Sequence, residues 1–130
     1  MQLARLLVAA ALLPLCAAAA DEARPVTISE GFGFAEKDGE SLYRAICQGC
    51  HMSRGEGAQG AGLYPALAAN PRLAAPKYAP LTILRGRRGM PPLRQMLSDE
   101  QIAEVTNYVR THMGNDYTDA VTAADVKSLR

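Results

Sequence analysis

One pentapeptide, Cys47-Gln48-Gly49-Cys50-His51, constrains this chain more than any other stretch. Two thiols three positions apart are placed to form one thioether each with the two vinyl groups of a haem. The imidazole beside the second thiol then reaches the iron. A chain built on such a motif needs an apolar pocket for a flat cofactor, a second ligand on the opposite side and a surface through which electrons pass.

Other readings of the same residues are weaker. A zinc site wants four ligands, and beyond Cys47, Cys50 and His51 the only other histidine is His112. A thioredoxin-like redox pair wants a surrounding strand–helix–strand pattern, and no such alternation is present. Coincidence is the third reading of a five-residue pattern with two free positions. The N-terminus weighs against it, because it points to the compartment in which haem attachment takes place.

Met1 to Ala20 combines Arg5, an apolar run from Leu6 to Leu15 and the small residues Ala18-Ala19-Ala20. This is the pattern of a secretory signal, with cleavage near Ala20 and delivery to the periplasm. The run is shorter than the roughly 20 residues of a spanning helix, so no stable membrane anchor is expected. Cys16 follows Leu15, where lipoprotein signals carry a small residue, and it is expected to leave with the signal. Cys47 and Cys50 then remain, and a disulfide between them would close a loop too small to restrain the chain.

With 130 residues there is room for one domain. Lys and Arg number 14 against 13 Asp and Glu, and loss of Arg5 makes them equal, so net charge gives no reason to expect nucleic acid. The distribution is more informative. No acidic residue falls between Gly57 and Ser98, whereas Arg72, Lys77, Arg85, Arg87, Arg88 and Arg94 all do.

Residues 21–37 lack helical periodicity and read as an N-terminal arm, with Phe32 or Phe34 placed to fold back onto a domain spanning 38–114. Asp38 predicts an N-cap for a helix over Gly39 to Ile46, with Leu42, Ala45 and Ile46 as its apolar stripe. Ser53 to Gly62 is rich in turn formers and reads as a loop passing close to the cofactor. Asn70-Pro71 predicts a short helix that Pro76 ends, and Pro80 suits the first turn of another that Gly86 ends. Ser98 and Gln101 form a capping box for a helix over 99–113, stapled by Leu97 and Ile102 and stopped by Gly114. The tail, 115–130, shows only Thr122 to Asp125 as a cap for a short helix. No strand-like alternation is visible, so the class is all-α.

At this point the chain resembles the class I c-type cytochromes, small bacterial members in particular, over about Asp38 to Gly114. The likeness rests on Leu42-Tyr43 ahead of the pentapeptide, on Gly89-Met90-Pro91, and on Leu97-Ser98-Asp99-Glu100-Gln101 leading a helix with Tyr108-Val109-Arg110. The resemblance implies a cytochrome c fold around one haem c, covalently held through Cys47 and Cys50. Its N- and C-terminal helices would cross near-perpendicularly, with Gly39 and Tyr43 meeting Val105 and Tyr108. His51 would be the proximal iron ligand and Met90 the distal one, and Pro65 would offer its carbonyl to the other nitrogen of His51.

Met96 is the rival of Met90. Gly89 and Pro91 hold Met90 on a constrained loop, whereas a methionine ahead of a helix is more often core filler. Tyr64 and Tyr78 are candidates for a haem propionate. Arg85, Arg87, Arg88 and Arg94 either form a solvated face or steer an acidic redox partner. Ligands on both sides of the iron imply an electron carrier, or a permanent electron-transfer subunit of an oxidoreductase such as a dehydrogenase, rather than an enzyme. Its donor would be a dehydrogenase and its acceptor an oxidase, reductase or membrane complex. The alternative is a haem enzyme or gas-binding sensor with a displaceable distal ligand, of the peroxidase kind, for which no distal histidine-plus-arginine pair is visible.

Overall fold

The computed structural model describes residues 33–60 and 62–130. The signal reading of 1–20, Cys16 and Phe32 lie outside the described residues.

The first helical run begins where Asp38 accepts a hydrogen bond from Ser41 N at 2.9 Å, capping α1 (Gly39–Leu42). It then widens into a π-type turn (Tyr43–Cys47) and returns to α-geometry in α2 (Gln48–His51). The helix was expected to end at Ile46; instead the pentapeptide itself is helical. The wide turn, closed by Gln48 N on Tyr43 O, also corrects the expected apolar stripe. An added residue per turn rotates the downstream side chains by about 100°. Tyr43, where the wide turn begins, is buried beside Leu42, and Ala45, within the turn, is exposed.

Beyond the motif the chain forms an unexpected two-stranded antiparallel ladder, β1 (Ala58–Gln59) with β2 (Leu63–Tyr64). Its strands are two residues long, too short for any alternation to show in the sequence. A 3-10 helix (Pro71–Ala74) comes next, capped by Asn70, and then α3 (Tyr78–Arg85), which stops at Gly86 with φ 69°.

The longest helix is α4 (Asp99–Thr111), and its capping box is complete. Ser98 Oγ accepts from Gln101 N at 3.2 Å, and Gln101 Oε1 accepts from Ser98 N at 2.9 Å. The spare Nε2 of Gln101 donates to Phe34 O and Glu36 O, both at 2.8 Å, which pins the end of the N-terminal arm. The helix stops two residues before the expected end. His112 is extended, its ring stacks on Tyr108 with centroids 4.4 Å apart, and Met113 and Gly114 turn left-handed at φ 59° and 78°.

The C-terminal segment is part of the core. Val121 and Val126 of the stretch bearing α5 (Ala123–Lys127) are buried with Ile102, Val105 and Val109. Asn107 clamps Val121 through both its backbone N–H and its carbonyl. Arg110, fully buried, donates to Leu73 O at 2.9 Å and pairs with Asp119. Gly39 sits hard against α4, where an added Cβ would come within 2.4 Å of Glu104 O and 2.6 Å of Tyr108 Cβ. Among the described residues no helix is long and apolar enough to cross a membrane.

Candidate functional site

Cys47 and Cys50 are free thiols on successive turns of the first helical run. Burial pushes the Cys47 thiol up to about 12, with Cys50 beside it adding to the shift. Tyr43, one turn earlier, donates its hydroxyl to Met52 O at 2.7 Å. Burial holds that phenol up at about 12, and Cys47 contributes.

His51 closes α2 and is half-buried. Its Nδ1 lies 2.9 Å from Pro65 O. A carbonyl only accepts, so Nδ1 carries the proton and Nε2 is the nitrogen with a free lone pair. Two thiols for thioethers and one imidazole with a single coordinating nitrogen are the donor set that a covalently attached haem requires, and the residues present fit it.

The loop that brings Pro65 to His51 depends on glycine. Gly57, at φ 69°, donates its N–H to His51 O at 3.0 Å. A Cβ there would fall 2.4 Å from Tyr64 O and 2.8 Å from the Pro65 carbonyl carbon. Gly55, at φ 70°, accepts from Leu67 N and Ala68 N through its carbonyl. Met113 Sδ occupies the space where a Gly55 Cβ would stand, so this methionine serves packing. Tyr64 sits at the end of β2 with its ring over Gly62; among the described residues it and Leu63 are the exposed large hydrophobic ones, at 40% and 70%. Tyr78 opens α3 and is half-buried.

Met90 lies on a tight reversal. Arg87 N donates to Met90 O and Met90 N donates to Arg87 O, both at 3.0 Å, around a two-residue turn with Arg88 at φ 55°. Gly86 is required beneath it, since a Cβ would lie 2.6 Å from Met90 O and 2.8 Å from Pro92 N. Leu93 N then ties the loop to α3 through Ile83 O at 2.8 Å. Met90 and Met96 are both half-buried against the hydrophobic core.

Arg85, Arg87 and Arg88 are exposed around this loop, and among the described residues none of them forms an ion pair. Arg94 is exposed but engaged: it donates to Arg130 O at 3.2 Å, and its own carbonyl receives Arg130 at 2.6 Å. His112 is exposed, with Nδ1 3.0 Å from Tyr108 O.

Sequence reasoning passes over two asparagines that hold the Pro65 loop. Asn70 Nδ2 donates to Ala66 O at 2.7 Å. Asn115, buried, bonds Leu67 O, Val109 O and Asn70 N. In the sequence Asn70 shows only the signal of a cap, and Asn115 carries no local signal beyond its place after Gly114.

The sequence pattern of the family described as cytochrome c oxidase, cbb3-type, subunit III matches residues 34–109. The chain is 37% identical, over 72% of its length, to the fructose dehydrogenase cytochrome subunit of Gluconobacter japonicus. It is 34% identical, over 71% of its length, to the alcohol dehydrogenase (quinone) cytochrome c subunit of Gluconacetobacter polyoxogenes. In both cases it spans only 22% of the relative. With cytochrome c-552 of Thermus thermophilus it shares 32% identity over 77% of this chain and 79% of that protein. The chain therefore belongs to the cytochrome c family as a small c-type cytochrome, a largely helical electron-transfer protein whose cofactor is covalently bound haem c.

Proposed function

We propose that this cytochrome is a one-haem periplasmic electron carrier in which Cys47 and Cys50 form the thioethers and His51 Nε2 and the Met90 sulfur are the axial ligands. The observation that carries the reading is the bond from His51 Nδ1 to Pro65 O, which leaves Nε2 as the coordinating atom. Bound there, haem c supplies one-electron Fe(III)/Fe(II) chemistry, with a potential raised by methionine ligation relative to stronger donors.

The chain's own residues keep that chemistry simple. Pro65 fixes the tautomer and orientation of His51 and raises its basicity. The reciprocal bonds between Arg87 and Met90 hold the distal side chain on a rigid reversal. With a protein ligand on each side there is no position left for substrate or oxygen, which favours electron transfer over catalysis. The close approach of Gly39 to α4 is what a near-perpendicular crossing of α1 and α4 would need. Tyr64 and Tyr78 are the candidates for propionate contacts.

Export by residues 1–20 would deliver the chain to the periplasm. The chain matches one-fifth of the dehydrogenase cytochrome subunits and most of cytochrome c-552, so we read it as one electron-transfer module. It would take electrons from a dehydrogenase and pass them to an oxidase, reductase or membrane complex. Arg85, Arg87, Arg88 and Arg94 offer a positive face to an acidic partner, and Arg94 is also hydrogen-bonded to Arg130 O.

A pyridine haemochrome spectrum of protein from cells competent in haem c attachment tests the covalent link at Cys47 and Cys50. Met90→Ala is expected to abolish the far-red sulfur-to-iron band of the oxidised protein, and an unchanged band would transfer the distal role to Met96.

A further inference from the structure

The loop carrying the Pro65 carbonyl has little secondary structure of its own, yet its carbonyl must be placed within a few tenths of an ångström to bond His51. β2 ends at Tyr64, and the next helical turn does not begin until Pro71. Three anchors span the gap. Gly55 O accepts from Leu67 N at 2.7 Å and Ala68 N at 2.9 Å. Asn70 folds its amide back onto Ala66 O, the residue directly after Pro65, at 2.7 Å. Asn115 reaches in from beyond the end of α4, donating to Leu67 O at 2.8 Å and accepting from Asn70 N at 2.9 Å.

Asn115 is 6% exposed, and its second amide proton goes to Val109 O at 2.8 Å, in the last turns of α4. Its side chain thus ties the longest helix to the loop. The chain reaches this position by leaving helical geometry early: Met113 and Gly114 turn left-handed, and Met113 O accepts from Ala69 N at 3.0 Å. The early end of α4 and the placement of the proximal loop are one arrangement.

From this geometry we infer that Asn115 and Asn70 are positioning residues for the proximal ligand, acting together through the 65–70 loop to set the hydrogen bond from His51 to Pro65. This rests on the reading of His51 as the iron ligand. A tight bond to Pro65 makes the imidazole a stronger donor and favours Fe(III). Loosening the loop weakens that donation and raises the reduction potential.

The test compares midpoint potentials and thermal stabilities of the holoprotein in wild type, Asn115→Ala, Asn70→Ala and Asn107→Ala. Asn107 is the control, because it also clamps backbone through two side-chain bonds, but at Val121 in the C-terminal segment. We expect N115A and N70A to have higher potentials than wild type, while N107A loses stability and keeps the wild-type potential. A wild-type potential in N115A, or an equal shift in N107A, overturns the inference. Should N115A fail to fold, N70A decides the matter, since Asn70 is only half-buried and a wild-type potential there is equally fatal. A wild-type protein whose spectrum lacks low-spin histidine ligation overturns the ligand reading itself, and the inference with it, before any variant is compared.

Discussion

Gly39→Ala adds one methyl group at the tightest approach between α1 and α4. That methyl would lie 2.4 Å from Glu104 O, 3.0 Å from Glu104 C and 2.6 Å from Tyr108 Cβ. None of these atoms can swing aside, because two are backbone and the third is fixed to it. Carbon atoms pack at about 3.5–4.0 Å, so the helices must part by roughly 1 Å. Leu42, Tyr43, Ile102 and Val105, each no more than 2% exposed, then lose contacts together. Overpacking of this kind costs about 1–3 kcal/mol. Alanine opposes it through better helix propensity, worth up to about 1 kcal/mol in a helix interior, but Gly39 is the first residue of α1 and gains only part of this. The steric cost wins. At about 4–8 °C per kcal/mol for a domain of this size, the melting midpoint of the holoprotein, followed by circular dichroism, should fall by several degrees or more. An unchanged or higher midpoint in G39A would refute the close crossing.

Three further outcomes are expected. Arg110→Met keeps the buried stem but strands the Leu73 carbonyl, a loss of about 1–3 kcal/mol in chemical denaturation; Asp119, whose side chain is 65% exposed, rehydrates and adds little. Wild-type stability in R110M would show that the buried guanidinium is dispensable. Hydrogen bonds from Ser41 hold the Asp38 carboxyl below its usual 3.8, and those from Thr122 do the same for Asp125. A depressed folded-state value contributes stability above about pH 4 that disappears as pH falls through the lowered value; melting midpoints should decline in that acid window, and less steeply in the D38N/D125N double variant. Reversal of the exposed pair in R87E/R88E should slow reduction by an acidic donor protein about tenfold or more at low salt, with the difference closing as ionic strength rises. Equal rates in both proteins would remove the positive face from the docking argument.

The pentapeptide, the Ser98–Gln101 capping box and the Asn70 and Gly86 helix boundaries were legible because their signals are local: each is a residue type at a fixed spacing from its own backbone partner. The wide turn over Tyr43–Cys47 was not. No residue there forbids an ordinary α-turn, and the burial of Tyr43 against α4 becomes visible only once both helices are placed. The early end of α4 was hidden for the same reason. Gly114 does turn left-handed as a C-terminal stop would, but Met113 is drawn out of the helix by Ala69 N and by the space over Gly55, both far away in sequence. Nothing local in the sequence marks Arg110 as buried; its partners Leu73 and Asp119 come from other segments.

The two sides of the candidate haem site differ in the same way, with a consequence for how each tolerates change. The Met90 reversal is closed by its immediate neighbours, Gly86, Arg87 and Leu93, so its rigidity could be read from glycine and proline spacing and should survive substitutions elsewhere in the chain. The Pro65 loop is held from Gly55 on one flank and from Asn115, 45 residues beyond Asn70, on the other. Its geometry is a property of the assembled fold. Substitutions at the end of α4, distant in sequence from the pentapeptide, should therefore move the electronic properties of His51. A mutational scan of reduction potential over residues 112–116 would expose that dependence, and wild-type potentials throughout the segment would count against it.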